Sequence, residues 1–361
     1  MRELERLNRF FDKIEQLGID VALIYNVEYS SKPSTYYLSG FTGSLSVLVL
    51  NRDEQFIITD SRYFEQARQQ TKFHLVEYRN GDFFENIKMV LDRFKPRTIG
   101  LEFQRISHNA FLKLSEKIKA NFVPLDTVLD TMRSIKEPQE IENIKKAIWI
   151  SEKAFLKTIE SVRDGITEKE LAAEFEYNMK KFGADSVAFE TIVISGVRTC
   201  LPHGRPSNKK IVPGEPITFD FGAVVSGYCA DITRTVFFGK PDDEFKRIYQ
   251  TVYEAQTLAL NGGSAKMKGK SVDALARDYI VQKGYGQYFG HGLGHGIGLE
   301  VHESPRVNST NEELLPESAV VTVEPGIYIE GKYGVRIEED VLVKKDSFEK
   351  LTNLPRELMT V

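Results

Sequence analysis

Cysteine is scarce in this chain, and so is any excess of charge of one sign. Only two cysteines, Cys200 and Cys229, occur among 361 residues, too few for a disulfide framework. They read as two buried thiols in a reduced compartment. Lys and Arg number 48 against 52 Asp and Glu, a net charge of -4. That balance offers no basic field to nucleic acid or to an anionic membrane. No apolar run approaches the ~20 residues of a membrane span. Met1 to Phe11 alternates charge with Leu and Phe and lacks the apolar stretch of a signal peptide. The expected location is the cytoplasm. Low-complexity segments are absent too. What is present is ordinary for a globular chain, 41% hydrophobic and 28% charged residues, with length enough for two domains.

Periodicity divides the chain. Leu4, Leu7, Phe11, Ile14 and Leu17 recur at helical spacing, with Gly18 suited to the position past a helix end. Strand-like runs follow at 21–25, 45–50, 56–59, 74–78 and 98–101, interleaved with helical patterns at 63–70, 84–94 and 110–118. This predicts an α/β domain over residues 1–125, with 124–136 as the connection to a second domain over 126–361. There a long helix over about 137–161 precedes one opened by a Thr167/Glu170 capping box and ending near Gly183. Strands at 187–195 and around two aspartates come next. The order then repeats: a helix over 244–260, a helix capped by Ser271 and ending near Gly284, and further strands. The second domain is therefore expected to be α+β with an internal pseudo-twofold repeat, although the two halves share no evident identity.

Acids and imidazoles stand in the apolar runs of that second domain. The segment from Ile217 to Gly222 alternates with period two around Asp220, and the return run carries Asp231. A turn centred on 225–226 would set the two carboxylates directly opposite; one centred on 226–227 would make them a diagonal pair. Either way they repel unless a cation lies between them. Three of six histidines, His291, His295 and His302, fall in one glycine-rich segment. Its glycines argue against a helical His-x-x-x-His zinc site. His74 and His108 read as ordinary structural residues. Glu324 follows the buried-strand pattern at 320–323, and Glu338 ends a run in which Arg336 shares its face. Neighbouring Glu339 and Asp340 are expected at the surface, although alternation favours Asp340 on the face of Glu338. Four carboxylates and one histidine suit a pair of hard or borderline divalent ions rather than structural zinc. In a two-metal hydrolase one component activates water and the other polarises the carbonyl.

At these residues the chain resembles the Xaa-Pro peptidases, the aminopeptidase P and prolidase branch of the pita-bread metallopeptidases. The matching stretches are 202–204, 220–223, 227–235, 291–302, 324–328 and 335–338, with 352–358 resembling the usual chain end. Earlier, 37–44 and 59–63 resemble the family's creatinase-like N-terminal domain. The resemblance implies Asp220, Asp231, His295, Glu324 and Glu338 as ligands of two divalent ions (Mn, Co or Zn). Asp231 and Glu338 would bridge, and Glu324 would double as proton shuttle. It implies His203, His291 and His302 beside the metals, holding substrate and stabilising the tetrahedral intermediate, with Arg336 behind them. Asn208 stands where many relatives carry Asp, outside the ligand set. The implied substrates are short peptides with proline second, and the implied assembly is a homodimer.

The adopted expectation is an Xaa-Pro aminopeptidase, with an Xaa-Pro dipeptidase as the alternative. A non-catalytic binding protein on this fold and a metal-free creatine hydrolase are disfavoured by the complete ligand set. A methionine aminopeptidase is disfavoured by the N-terminal domain.

Overall fold

Apolar runs of four to seven residues in the first third of the chain build one six-stranded sheet. In a computed structural model describing residues 2–361, with side chains from residue 4 onward, its strand order is His74–Tyr78, Gln55–Asp60, Leu45–Leu50, Val21–Val27, Thr98–Leu101, Asn121–Pro124. The two middle strands pair antiparallel with Leu48 opposite Ile24. Both are buried on two faces, which explains why only Asn26 and Ser46 interrupt their apolar runs. Helices Phe83–Phe94 and His108–Lys117 supply Ile87, Val90, Leu91, Ala110 and Leu114 to the core of this sheet. The first helix, Arg2–Gln16, ends before Gly18, whose φ of +69° suits glycine.

Two helices of this unit escaped the periodicity argument. Lys32–Ser39 begins with Pro33 in its first turn, where proline is tolerated. Asp126–Ser134 lies in the stretch expected to be a plain connection. Contacts group residues Met1–Arg133 as one unit and Ser134–Val361 as another.

The second unit shows the repeated order. Helices Pro138–Ile159 and Glu168–Lys181 precede a three-stranded sheet of Ile232–Phe238, Glu215–Phe221 and Ile192–Ser195. The Thr167 capping box forms in full: Thr167 Oγ1 accepts from the Glu170 amide, and Glu170 accepts from the Thr167 amide. The run expected as one strand over 187–195 is two short strands in different sheets, and Phe189 and Glu190 between them line a cavity. In the second half, helices Asp243–Gly262 and Gly269–Gln282 precede a five-stranded sheet. Its order is Glu303–Val307, Gly294–Gly296, Val320–Val323, Glu339–Val343, Phe348–Lys350.

Phe155, Phe175, Phe219 and Phe221, all fully buried, form an aromatic cluster beneath the first sheet. Phe155 stacks on Phe221 with ring centroids 5.3 Å apart. Removing a phenyl ring from such a site costs about 3–5 kcal/mol. Phe155→Ala is expected to lower unfolding free energy by about that amount in urea titrations; a loss under about 1 kcal/mol would mean the cluster does not support the hairpin.

Candidate metal centre

The turn of the aspartate hairpin centres on Ser226–Gly227. Both have positive φ, 50° and 81°, and Val225 pairs with Tyr228. Asp220 therefore pairs with Thr233, and Asp231 is its diagonal neighbour. Glycine at 222 is obligatory, since a Cβ there would lie 1.8 Å from the Ala230 carbonyl oxygen.

The histidine segment enters between two strands for the same reason. A Cβ on Gly294 would lie 2.0 Å from the Thr322 carbonyl oxygen. A register shift between His295 and Gly296 marks a bulge, a device that re-aims side chains near functional sites. With Nδ1–H donated to the Gly296 carbonyl (3.1 Å), Nε2 of His295 is left as an acceptor. Nε2 lies 3.3 Å from Glu324 Oε1 and 3.7 Å from Asp231 Oδ2. A metal-binding histidine is usually held in this way, one nitrogen on a carbonyl and the other bare.

Asp231, His295 and Glu338 each offer a ligand atom within 4.8 Å of the others. Glu338 accepts from Thr233 Oγ1 at 2.6 Å. Arg336 donates through Nη2 to Asp220 (2.5 Å) and through Nε to Thr233 Oγ1 (3.0 Å). Its Nη1 reaches the Pro202 carbonyl and the Tyr328 hydroxyl. Tyr328 in turn bonds His291 Nε2 at 2.9 Å, and His291 Nδ1 meets the Gly292 carbonyl at 2.8 Å. Both nitrogens of His291 are thus engaged. His302 packs edge-on against His295, ring centroids 4.3 Å apart.

All nine residues proposed from the sequence line one cavity of about 420 Å³, a size suited to a small ligand. His203 and His302 are the exposed members of the nine. Phe189, Ile192 and Val301 supply an apolar wall.

The electrostatics are those of acids lacking a counter-charge. Burial pushes the Asp231 carboxyl well above its usual range, and Glu338, Asp220 and Glu324 add repulsion. Burial, then the negative charge of Glu324 and Asp220, does the same to Glu338. Asp220 is raised by burial despite Arg336, and its Oδ1 is buried without a hydrogen-bond partner. At Glu324 burial pushes upward, but the attractions of His295, His291 and Arg336 together outweigh it and leave the carboxyl at about 2. Burial lowers His302 to about 4, so its imidazole is neutral at pH 7. A partnerless buried carboxylate oxygen, a bare imidazole nitrogen and converging acids fit a divalent cation.

Two sequence expectations are corrected. Glu339 and Asp340 are not surface acids; both are fully buried. Arg234 neutralises Glu339, and Asp340 accepts the Asp231 amide at 3.1 Å. Cys200 is only half-buried, while Cys229 is buried. Three neighbours went unnoticed in the sequence. Tyr328 and Thr233 looked like strand residues. Arg306 lies across from His295 in the strand pairing, and nothing in its local sequence marks it.

Comparison with known proteins decides the family. Residues 142–345 match the metallopeptidase family M24 model, and residues 6–135 match the creatinase/prolidase N-terminal domain. The chain belongs to metallopeptidase family M24. It is 38% identical to an Xaa-Pro dipeptidase of Pyrococcus furiosus over 98% of this chain and 99% of that one. Two solved structures superpose along nearly the whole length. An X-Pro aminopeptidase from Thermotoga maritima has TM-score 0.93 and 48% identity, covering 98% of this chain and 99% of that one. An Xaa-Pro dipeptidase from Bacillus anthracis has TM-score 0.94 and 39% identity, covering 99% and 100%. This M24 chain is a metallo-exopeptidase with a creatinase-type N-terminal domain and a pita-bread catalytic domain. No helix among the described residues is long and apolar enough to cross a membrane.

Asp231 and Glu338 of the metal-free enzyme hold protons more tightly than their unfolded counterparts. Their contribution to stability is complete below the ordinary carboxylate pKa of ~4 and is lost as pH rises through the raised folded values. A cation must displace those protons, so it binds more tightly at higher pH. The rise in melting temperature on adding Mn²⁺ to EDTA-treated enzyme is therefore expected to grow between about pH 5 and pH 8. A shift that is flat or shrinking over that range would contradict the protonated cluster.

Proposed function

We propose that this enzyme hydrolyses the peptide bond before proline and that its substrates are Xaa-Pro dipeptides. The observation that carries the preference is Arg306. The other cavity-lining arginines are engaged: Arg336 with Asp220, Arg205 with Glu190 at 3.1 Å. Arg306 lines the same cavity, is exposed and makes no ion pair among the described residues. Its register opposite His295 puts it on the site's side of the sheet. A dipeptide carries its free carboxylate one residue beyond the scissile bond, and a guanidinium suits that group. The relatives named Xaa-Pro dipeptidase support the same choice. The dipeptidase is thus preferred over the aminopeptidase expected from sequence.

Five residues would hold a pair of divalent ions: Asp220, Asp231, His295, Glu324 and Glu338. Bound there, such ions supply Lewis-acid polarisation of the carbonyl and a more acidic water. The chain's own groups do the rest. Glu324 is ionised and takes the proton of the attacking water. It then delivers that proton to the proline nitrogen as the C–N bond breaks, because a tertiary amide nitrogen has no proton of its own. His302, neutral at pH 7, donates an N–H bond to the carbonyl oxygen as it becomes negative, and His203 adds a second from the cavity mouth. Phe189, Ile192 and Val301 receive the proline ring and exclude water from it. In this reading the active assembly is a homodimer.

The test compares an Xaa-Pro dipeptide with the corresponding Xaa-Pro-Xaa tripeptide in the Mn²⁺-loaded enzyme. The dipeptide is expected to be cleaved with the higher kcat/KM. Arg306→Met is expected to remove about 1.5–3 kcal/mol of carboxylate binding, raising KM for the dipeptide roughly 10- to 100-fold with a smaller effect on the tripeptide. Equal losses on both, or a faster tripeptide, would return the reading to an aminopeptidase. In the same assay Asp231→Asn is expected to abolish metal retention and turnover together.

A further inference from the structure

We propose that Asp273 and Arg277, one turn apart on helix Gly269–Gln282, are a positioning pair that fixes the segment carrying His291 and His295 and, through it, the backbone of Glu324. Neither lines the cavity, and nothing in the hydrolytic reading above uses them. The catalytic consequence rests on that reading; the positioning itself does not.

The segment needs an outside anchor. Residues 290, 292, 294, 296 and 298 are all glycine, so it loses unusual conformational entropy on ordering and has few side chains to hold it. The helix supplies what is missing. Arg277 and Asp273 form a two-point ion pair, Nε to Oδ2 at 2.6 Å and Nη2 to Oδ1 at 2.8 Å. The guanidinium also donates from Nη1 to the Phe289 carbonyl (3.1 Å) and from Nη2 to the His291 carbonyl (2.6 Å). Asp273 Oδ1 accepts the Leu293 amide at 3.0 Å. Three alternate residues are thus gripped by their backbones. Leu293 passes the constraint on, since its carbonyl accepts the Glu324 amide at 2.8 Å. The guanidinium lies over the Phe289 ring at 4.3 Å, and that ring meets His291 edge-on at 5.0 Å.

An exposed ion pair at this helical spacing adds little and grips nothing. This one is different because the Asp273 side chain is only 1% exposed and Arg277 24%. A buried carboxylate is tolerated when its lone pairs are filled, and the Leu293 amide is one of the donors that fills them. Breaking the pair therefore releases the segment as well as the charge.

The experiment uses the full-length protein, wild type, Arg277→Met, Arg277→Lys and Asp273→Asn. It reads amide exchange by mass spectrometry, Mn²⁺ affinity from the EPR signal of free Mn²⁺, and kcat and KM for an Xaa-Pro dipeptide. Arg277→Met is expected to speed exchange at 289–295 at least about tenfold, leaving 243–262 unchanged, and to weaken Mn²⁺ roughly 10- to 100-fold. The lysine variant is expected to fall between, because it keeps the charge without the fork. With saturating Mn²⁺, kcat is expected to fall more than KM rises. Exchange at 289–295 and Mn²⁺ affinity within about twofold of wild type would overturn the proposal, whatever the loss of melting temperature. If Arg277→Met does not fold, the near-isosteric Asp273→Asn is judged by the same two criteria. A wild-type enzyme that fails to cleave the dipeptide sinks the hydrolytic reading alone; exchange and metal affinity still decide the pair.

Discussion

Buried negative charge without enough positive charge to match it is the constraint around which the catalytic unit is arranged. Asp220, Asp231, Glu338 and Asp340 are all buried, and Glu324 opens on the same cavity. Arg336 neutralises part of Asp220, and His295 supports Glu324. Asp231 and Glu338 have no cationic side chain of their own among the described residues. Two sheets, one from each half of the unit, must converge to hold these acids together. Their convergence is secured by apolar packing on the outer faces: the four-phenylalanine cluster in the first half, and Val252, Ala255, Ala276 and Ile280 of the helices in the second.

Acids that repel one another are held in place by the groups around them. Thr233 accepts from Arg336 and donates to Glu338, so one hydroxyl joins an arginine and a carboxylate that lie 103 and 105 residues away from it in the chain. Asp340 takes the Asp231 amide, fixing the residue just before strand Ile232–Phe238. Fully buried Arg234 spends its donors on the carbonyls of Thr233, Glu338, Leu354 and Pro355 and on the Glu339 carboxylate. Residues 354 and 355 are thereby bound to Glu338 and to the start of strand Glu339–Val343. Arg336, Tyr328 and His291 form a hydrogen-bonded chain along the cavity wall. Such polar networks are rigid only when each member is satisfied, and here the exceptions sit at the carboxylates, Asp220 Oδ1 and Asp340 Oδ1 among them.

Much of this was legible in the sequence because periodicity and residue type carried it. Asp220 and Asp231 stood out as acids in strand-like apolar runs, and the three histidines stood out by clustering. The two-half order of helices and sheets followed from capping signals at Thr167 and glycines at helix ends. What was not legible depended on partners distant in the chain. Glu339 and Asp340 read as surface acids because nothing nearby announces that Arg234 and the Asp231 amide would take them inside. Helix Asp126–Ser134 was hidden in a stretch read as a linker, and Lys32–Ser39 behind a proline that reads as a breaker but fits a first turn. The hairpin's two registers could not be separated until the positive φ of Ser226 and Gly227 chose one. Arg306 gains meaning only from its place across from His295.

The central claim is that the acids keep protons until a divalent cation displaces them. Titration calorimetry of Mn²⁺ into EDTA-treated, dialysed enzyme, repeated in buffers of different ionisation enthalpy near pH 6.5, counts the protons released on binding. The account predicts net release, on the order of one proton per site filled. Tight binding with no proton release would contradict it, as would the absence of binding at micromolar Mn²⁺.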